Sequence, residues 1–287
     1  MRPVALTILT LLLASGARAA NAPTPAQVQP VGMVDAPCTP EMSVRRSPSS
    51  SEILLKPGPL PPAVIAFIGS PASQATGAKA RSVWAARDWP GLCQYRREND
   101  GIVASGQFPT AVLIGDSITE YWAMADPSLF GPALAGRGIS SEVSGQLLAR
   151  FRQDVIALKP KVVHFLVGTN DIAGNFGPSR PADYQANIMS MCEIARANGV
   201  RVVLGSILPA RRMLWSPDID PRARIAALNA WLKAYAVANG IAFVDYHAAL
   251  AGPDDGMKPE LSNDGVHPNR NGYAVMRPLL EAALAGR

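Results

Sequence analysis

From residue 111 onward, short apolar runs alternate with stretches whose apolar side chains recur every three or four positions. The runs are AVLIG at 111–115, KVVHFLVG at 161–168, RVVLGSIL at 201–208 and IAFVDY at 241–246. The amphipathic stretches lie near 143–158, 182–199, 222–239 and 271–285. The runs are apolar throughout and rich in β-branched residues, so they read as strands buried on both faces. This pattern predicts an α/β fold, a mainly parallel sheet covered by helices. A further short strand is expected near 133–137. In such sheets ligands bind beyond the carboxyl ends of the strands, so the residues that follow each run are where chemistry is sought.

The first hundred residues lack this order. Residues 80–99, ARSVWAARDWPGLCQYRREN, have roughly helical spacing interrupted by Pro90, and predict a helical preface to the main domain. Residues 20–79 are dense in Pro, Ser and Ala and predict an extended arm or linker. Within them AVIAFIGSPASQATGAK is not a phosphate-binding loop, because Gly69 and Gly77 are too far apart and Lys79 does not directly follow Gly77. Residues 1–19 combine Arg2, the run VALTILTLLLA and the small-residue site Ala17-Arg18-Ala19, the three parts of a secretory signal. That run is too short for a spanning helix, which needs roughly 20 residues. The expectation is an exported protein, periplasmic or secreted, without stable membrane insertion. Its main domain covers 80–287.

Charge and cysteine content narrow the picture. The formal charge of +5 falls to about +3 once Arg2 and Arg18 leave with the signal, too mild to suggest nucleic acid. Of three cysteines, Cys38 and Cys93 are the expected bridge, and Cys192 falls on the apolar face of NIMSMCEIARA. There is no C-x-x-C and no His at ligand spacing, so no metal is expected.

The strand ends supply reactive groups. Gly115-Asp116-Ser117 follows the first run, Gly168-Thr169-Asn170-Asp171 the second, and the later loop SNDGVHPNRNGY contains Asp264 and His267. A serine hydroxyl needs a base, and His267 is the candidate, with Asp264 three residues earlier to fix its tautomer. Asn170 and the backbone amides of Ser117 and Gly138 are candidate donors to an oxyanion. Gly-Arg-Gly at 136–138 fails as a dinucleotide fingerprint because Ser141 occupies the third glycine position. Each piece alone is common. Their joint placement at successive strand ends points to acyl transfer.

The blocks IGDSITEYW, GRGIS, VGTNDIAGN and DGVHPNRNGY resemble those of the SGNH hydrolases, also called the GDSL esterase/lipase family, over residues 84 to the C-terminus. The resemblance implies a flavodoxin-like three-layer α/β/α sandwich with a mainly parallel five-stranded sheet, and no metal or organic cofactor. It also implies Ser117 as nucleophile, Asp264 and His267 as its triad partners, and Gly138 and Asn170 as oxyanion donors. Two positions depart from the family pattern: Ile118 replaces the motif's leucine, and Ser141 stands where a further glycine is expected.

Among the remaining residues, His164 and His247 read as structural, and Asp116 and Asp171 as loop-holding. Tyr121, Trp122 and Trp215 are expected at a substrate wall. Arg211 and Arg212 read as solvated surface, with attraction of an anionic substrate as the alternative. The expected function is an exported serine esterase acting on a small-molecule or carbohydrate acyl ester, with a leaning to short or O-acetyl groups. The alternatives are a lysophospholipase or lipase-type acylhydrolase and an O-acyltransferase. A non-catalytic binding module is disfavoured by the intact Ser117, Asp264 and His267.

Overall fold

The computed structural model describes residues 34–39, 42 and 48–286. The chain divides into two units at Cys38. Residues 34–38, the described part of the first, carry no helix or strand. The expected signal at 1–19 lies outside the described residues.

The second unit is built on five strands: β1 (Ala111–Gly115), β2 (Leu134–Gly138), β3 (Val162–Leu166), β4 (Arg201–Gly205) and β5 (Ala242–Val244). They form one sheet in the order β2-β1-β3-β4-β5, and every pairing is parallel. This is the doubly wound flavodoxin-like order, whose switch point falls between β1 and β3. All five positions of β1 and of β3 are buried, in keeping with a run that is apolar at every position but His164.

Helices cover both faces. Val112 and Ile114 of β1 share one core with Leu147 and Phe151 of α6 (Ser144–Asp154), Met191 of α8 (Pro181–Ala197) and Leu228 of α9 (Arg222–Asn239). Leu113, between them in the pleat, faces the opposite side. There α5 (Ser117–Ala125), α10 (Tyr246–Leu250) and α11 (Arg270–Leu284) bring Trp122 against Tyr246 and Tyr273. Between these elements lies the short α7 (Thr169–Ala173). Among the described residues no helix is long and apolar enough to cross a membrane.

The segment expected as an arm differs from that reading. It holds α1 (Pro48–Leu55) and α2 (Pro62–Ile68), followed by α3 (Pro71–Asp88), and α4 (Arg96–Ser105) completes the preface. The physical reason is the place of each proline. Pro62 and Pro71 stand in the first turn, where the missing N–H costs nothing and the fixed φ favours the helix. Ser70 caps α3 by accepting from the Ser73 amide at 3.2 Å. Cys38 and Cys93 are both disulfide-bonded, whereas Cys192 is free and buried.

Candidate functional site

The turn that ends β1 is fixed by close packing. A Cβ on Gly115 would lie 2.2 Å from Thr119 Oγ1 and 2.3 Å from Leu166 O, so only glycine lets the chain leave the sheet here. Asp116 then caps α5, its Oδ1 accepting from the Ile118 amide at 2.9 Å. Ser117 is thereby placed in the first turn of a helix at the sheet's carboxyl edge.

Ser117 Oγ lies 2.9 Å from His267 Nε2, and His267 Nδ1 lies 2.7 Å from Asp264 Oδ2. The other carboxylate oxygen of Asp264 accepts from the amides of Val266 at 2.9 Å and His267 at 2.8 Å, which locks the loop around the acid. Burial alone would raise the Asp264 carboxyl. The charge of His267 and the hydrogen bonds from His267 and Val266 together outweigh it, holding Asp264 below the usual carboxylate range. An anionic acid at Nδ1 fixes the tautomer that leaves Nε2 free to accept from the serine.

Asn170, on α7, joins this site through Asp116. Its Nδ2 donates to Glu142 O at 3.0 Å and approaches Asp116 Oδ2 at 3.3 Å. Its Oδ1 accepts from Asn175 Nδ2 at 2.7 Å, and Asn175 Oδ1 accepts from Trp215 Nε1 at 3.1 Å. A continuous chain of side chains thus runs from Trp215 to the residue preceding Ser117. Trp215 and Tyr121 stand on the His267 ring, with centroids 5.9 and 5.2 Å away.

Residues 113–275, more than half of the chain, match the GDSL-like lipase/acylhydrolase family. The chain belongs to this family. It is similar to esterase TesA of Pseudomonas aeruginosa, with 30% identity over 193 residues, 60% of this chain and 89% of the relative. A crystal structure of a Bacteroides fragilis protein assigned as an acylhydrolase superposes with a TM-score of 0.66 at 40% identity, covering 69% of this chain and 98% of that one. A GDSL-like lipase from Bacteroides thetaiotaomicron gives 0.65 at 38% identity with the same coverage. The protein is therefore a hydrolase acting on ester bonds.

Two sequence expectations for this GDSL-like hydrolase need correction. Trp122 is fully buried against Tyr246 and Tyr273, so it packs α5 against α10 and α11 and forms no substrate wall. Tyr121 is also fully buried, and its ring lies against that of His267. Gly138 has a packing reason to be glycine: a Cβ there would lie 2.1 Å from Glu120 N and 2.8 Å from Asp116 O. The segment that approaches Asn170 is the turn after it. In that turn Glu142 O accepts from Asn170, Ser141 O accepts from Asn175 Nδ2 at 3.4 Å, and Ser141 adopts a left-handed φ of 71°.

One participant, Arg150, has no counterpart among the residues that the sequence singled out. Arg150 is completely buried, its Nε on Glu142 at 2.7 Å and its Nη1 on Asp154 at 2.8 Å. Its Nη2 donates to Gly115 O at 3.1 Å and Arg137 O at 2.9 Å, tying the ends of β1 and β2 to the 139–143 turn. The available signal was a charged pair, Arg150 and Asp154, on a helix that must bury one face. Asp171 accepts from both the amide and the hydroxyl of Ser144, and burial still pushes its carboxyl up to about 6. His164, buried in β3 and bonded to Tyr246 Oη at 3.0 Å, is pushed down to about 3 by burial, in keeping with a structural role.

Proposed function

We propose that this hydrolase is an exported serine esterase that removes short acyl groups, O-acetyl on carbohydrate foremost, through Ser117, His267 and Asp264. The observation that carries the reading is the unbroken line from Ser117 Oγ through His267 to Asp264, at 2.9 and 2.7 Å. His267 Nε2 takes the Ser117 proton as Oγ bonds to the acyl carbon, and Asp264 stabilises the imidazolium. The bond to the alcohol oxygen then breaks, and His267 returns the proton to that oxygen. In the second half a water attacks the acyl-enzyme, its proton passes to His267, and the acid leaves as Ser117 Oγ recovers the proton. Asn170 Nδ2 and the Ser117 amide are the proposed donors to the oxyanion in both halves.

Recessed chemistry supports the preference for small acyl groups. Ser117 is only 6% exposed and His267 7%, with aromatic rings on two sides of the imidazole. The partly exposed Trp215 offers a flat face to a sugar ring. Export is supported by the signal-like residues 1–19 and by two disulfide-bonded cysteines, which persist in oxidising compartments.

The test is labelling with a fluorophosphonate probe, followed by hydrolysis of esters of increasing acyl length. Wild type is expected to label and to favour acetyl esters, and Ser117→Ala to do neither. Equal behaviour of the two proteins overturns the serine mechanism. A preference for long chains overturns the short-acyl assignment alone.

A further inference from the structure

We propose that the cavity beside the Asp264 loop binds an anionic group, a carboxylate or a phosphate, carried on the alcohol portion of the ester. This inference rests on the esterase reading above. The cavity is about 300 Å³, and its walls include Ile65, Arg211, Arg212, Leu214, Met257 and Asp264.

Position is the first argument. Two loops that build the catalytic line also build this cavity. The loop at 262–265 carries Asp264, and the loop at 211–215 sets Trp215 on the His267 ring while Arg211, Arg212 and Leu214 line the cavity. Ser117 meets the imidazole at Nε2, whereas Asp264 meets it at Nδ1. In this proposal the acyl group lies at Ser117 and the alcohol portion extends past the imidazole toward the cavity.

Charge is the second argument. Two of the cavity's acids are already engaged. Asp264 is committed to His267, and Asp254 pairs with Arg211 at 3.2 Å. Arg212 is exposed and makes no ion pair among the described residues. Its guanidinium is bound to no carboxylate among the described residues, and its planar fork of donors matches the oxygens of carboxylate or phosphate. Ile65, Leu214 and Met257 provide apolar surface for the carbon skeleton that bears the anion.

The test compares matched ester pairs on the full chain at low salt. One pair is an O-acetylated methyl glucuronide against the same acetate of methyl glucoside. The other is 1-acetylglycerol 3-phosphate against 1-acetylglycerol. Each measurement is made on wild type, Arg212→Gln and Arg212→Lys. The expected result is a preference of wild type for the anionic member in kcat/KM, reduced about tenfold by Arg212→Gln, as for one charge-assisted hydrogen bond, and largely kept by Arg212→Lys. The pair with the larger loss identifies carboxylate or phosphate as the recognised group. The same preference in wild type and Arg212→Gln for both pairs, with hydrolysis still dependent on Ser117, overturns the subsite and leaves the esterase reading standing. Absence of Ser117-dependent hydrolysis of all four esters overturns both.

Discussion

The side-chain amide of Asn170 lies 3.3 Å from Oδ2 of Asp116, the residue that caps the helix beginning at Ser117. That separation is beyond the usual range for an N–H···O bond, whereas the second amide hydrogen is held at 3.0 Å by Glu142 O. In the proposed mechanism the loosely held hydrogen is the one that the oxyanion at Ser117 recruits. Glu142 is itself anchored by Arg150, so the Asn170 amide, the proposed donor, is held in place by the fold.

Asn170→Ala is therefore expected to lower kcat by roughly 10²–10³ with a much smaller change in KM, because the bond forms fully only in the transition state. Steady-state kinetics on an acetyl ester measures this. A loss confined to KM rules out the donor role. Denaturant melts on the same variant separate the stability cost of leaving Glu142 O without its partner, about 1–3 kcal/mol.

Asp264→Asn addresses the other end of the line. Its carboxylate receives two backbone amides on one oxygen and the imidazole on the other, and an amide side chain reproduces the acceptor on only one side. The wrong imidazole tautomer then faces Ser117, and kcat is expected to fall by about 10⁴. Fluorophosphonate labelling should slow in parallel. The pH dependence follows from the depressed carboxyl. Asp264 adds stability above its unfolded pKa of about 3.9, and that stability is lost as pH falls through the lower folded value. Acid melts of wild type and Asp264→Asn should converge at the low end of this window.

The sheet was legible because β1 and β3 are apolar at almost every position, and α9 coincides with the predicted 222–239 because its apolar period is unbroken. Ser117, Asp264 and His267 were legible as a group because Ser117 directly follows the apolar run of β1 and the other two share one short Asp-Gly-Val-His loop. The helices at 48–88 were not, since Pro62 and Pro71 break a helix in its interior yet start one at its first turn, and composition does not say which. Nor was the fate of two adjacent aromatics. Tyr121 and Trp122 differ by 100° around α5, and only the packing of that helix decides which ring meets His267. The link from Trp215 through Asn175 to Asn170 joins residues forty and five positions apart, and no local pattern encodes it.

The tryptophans give a paired prediction. Trp122→Ala opens a cavity between Tyr246 and Tyr273 and is expected to cost about 3–5 kcal/mol of stability. Trp215→Ala removes a ring from His267 and the donor to Asn175, and should reduce kcat/KM about tenfold or more while costing less stability than Trp122→Ala. Urea denaturation and ester kinetics on both variants check the contrast. Equal stability losses would place Trp215 in the core rather than at the site.

Asp116 supplies a pH-dependent stability test. Burial pushes its carboxyl up to about 7, against an unfolded value near 3.9. A raised folded pKa contributes stability that is complete below the unfolded value and is lost as pH rises from about 4 through 7. Asp116→Asn keeps the helix cap and removes the titration. It should flatten the stability profile between pH 4 and 7 and exceed wild type at pH 8, by on the order of 2–4 kcal/mol. Parallel profiles for the two proteins would show that Asp116 titrates alike folded and unfolded.

Ser141 stands with φ at 71° in the turn whose Glu142 carbonyl holds Asn170. A side chain in the left-handed region costs roughly 1–2 kcal/mol, whereas glycine there avoids the strain but loses about 0.5–1 kcal/mol to the entropy of the unfolded chain. Ser141→Gly is expected to stabilise the fold by about 0.5–1 kcal/mol, read as a higher urea midpoint at unchanged m-value. The carbonyl of residue 141 also accepts from Asn175 Nδ2, and that bond survives the substitution because it belongs to the backbone. Greater freedom in the turn should loosen Asn170 through Glu142, so a gain in stability accompanied by a fall in kcat ties the strained turn to placement of the oxyanion donor. A variant less stable than wild type would mean that the Ser141 side chain contributes more than its backbone strain removes.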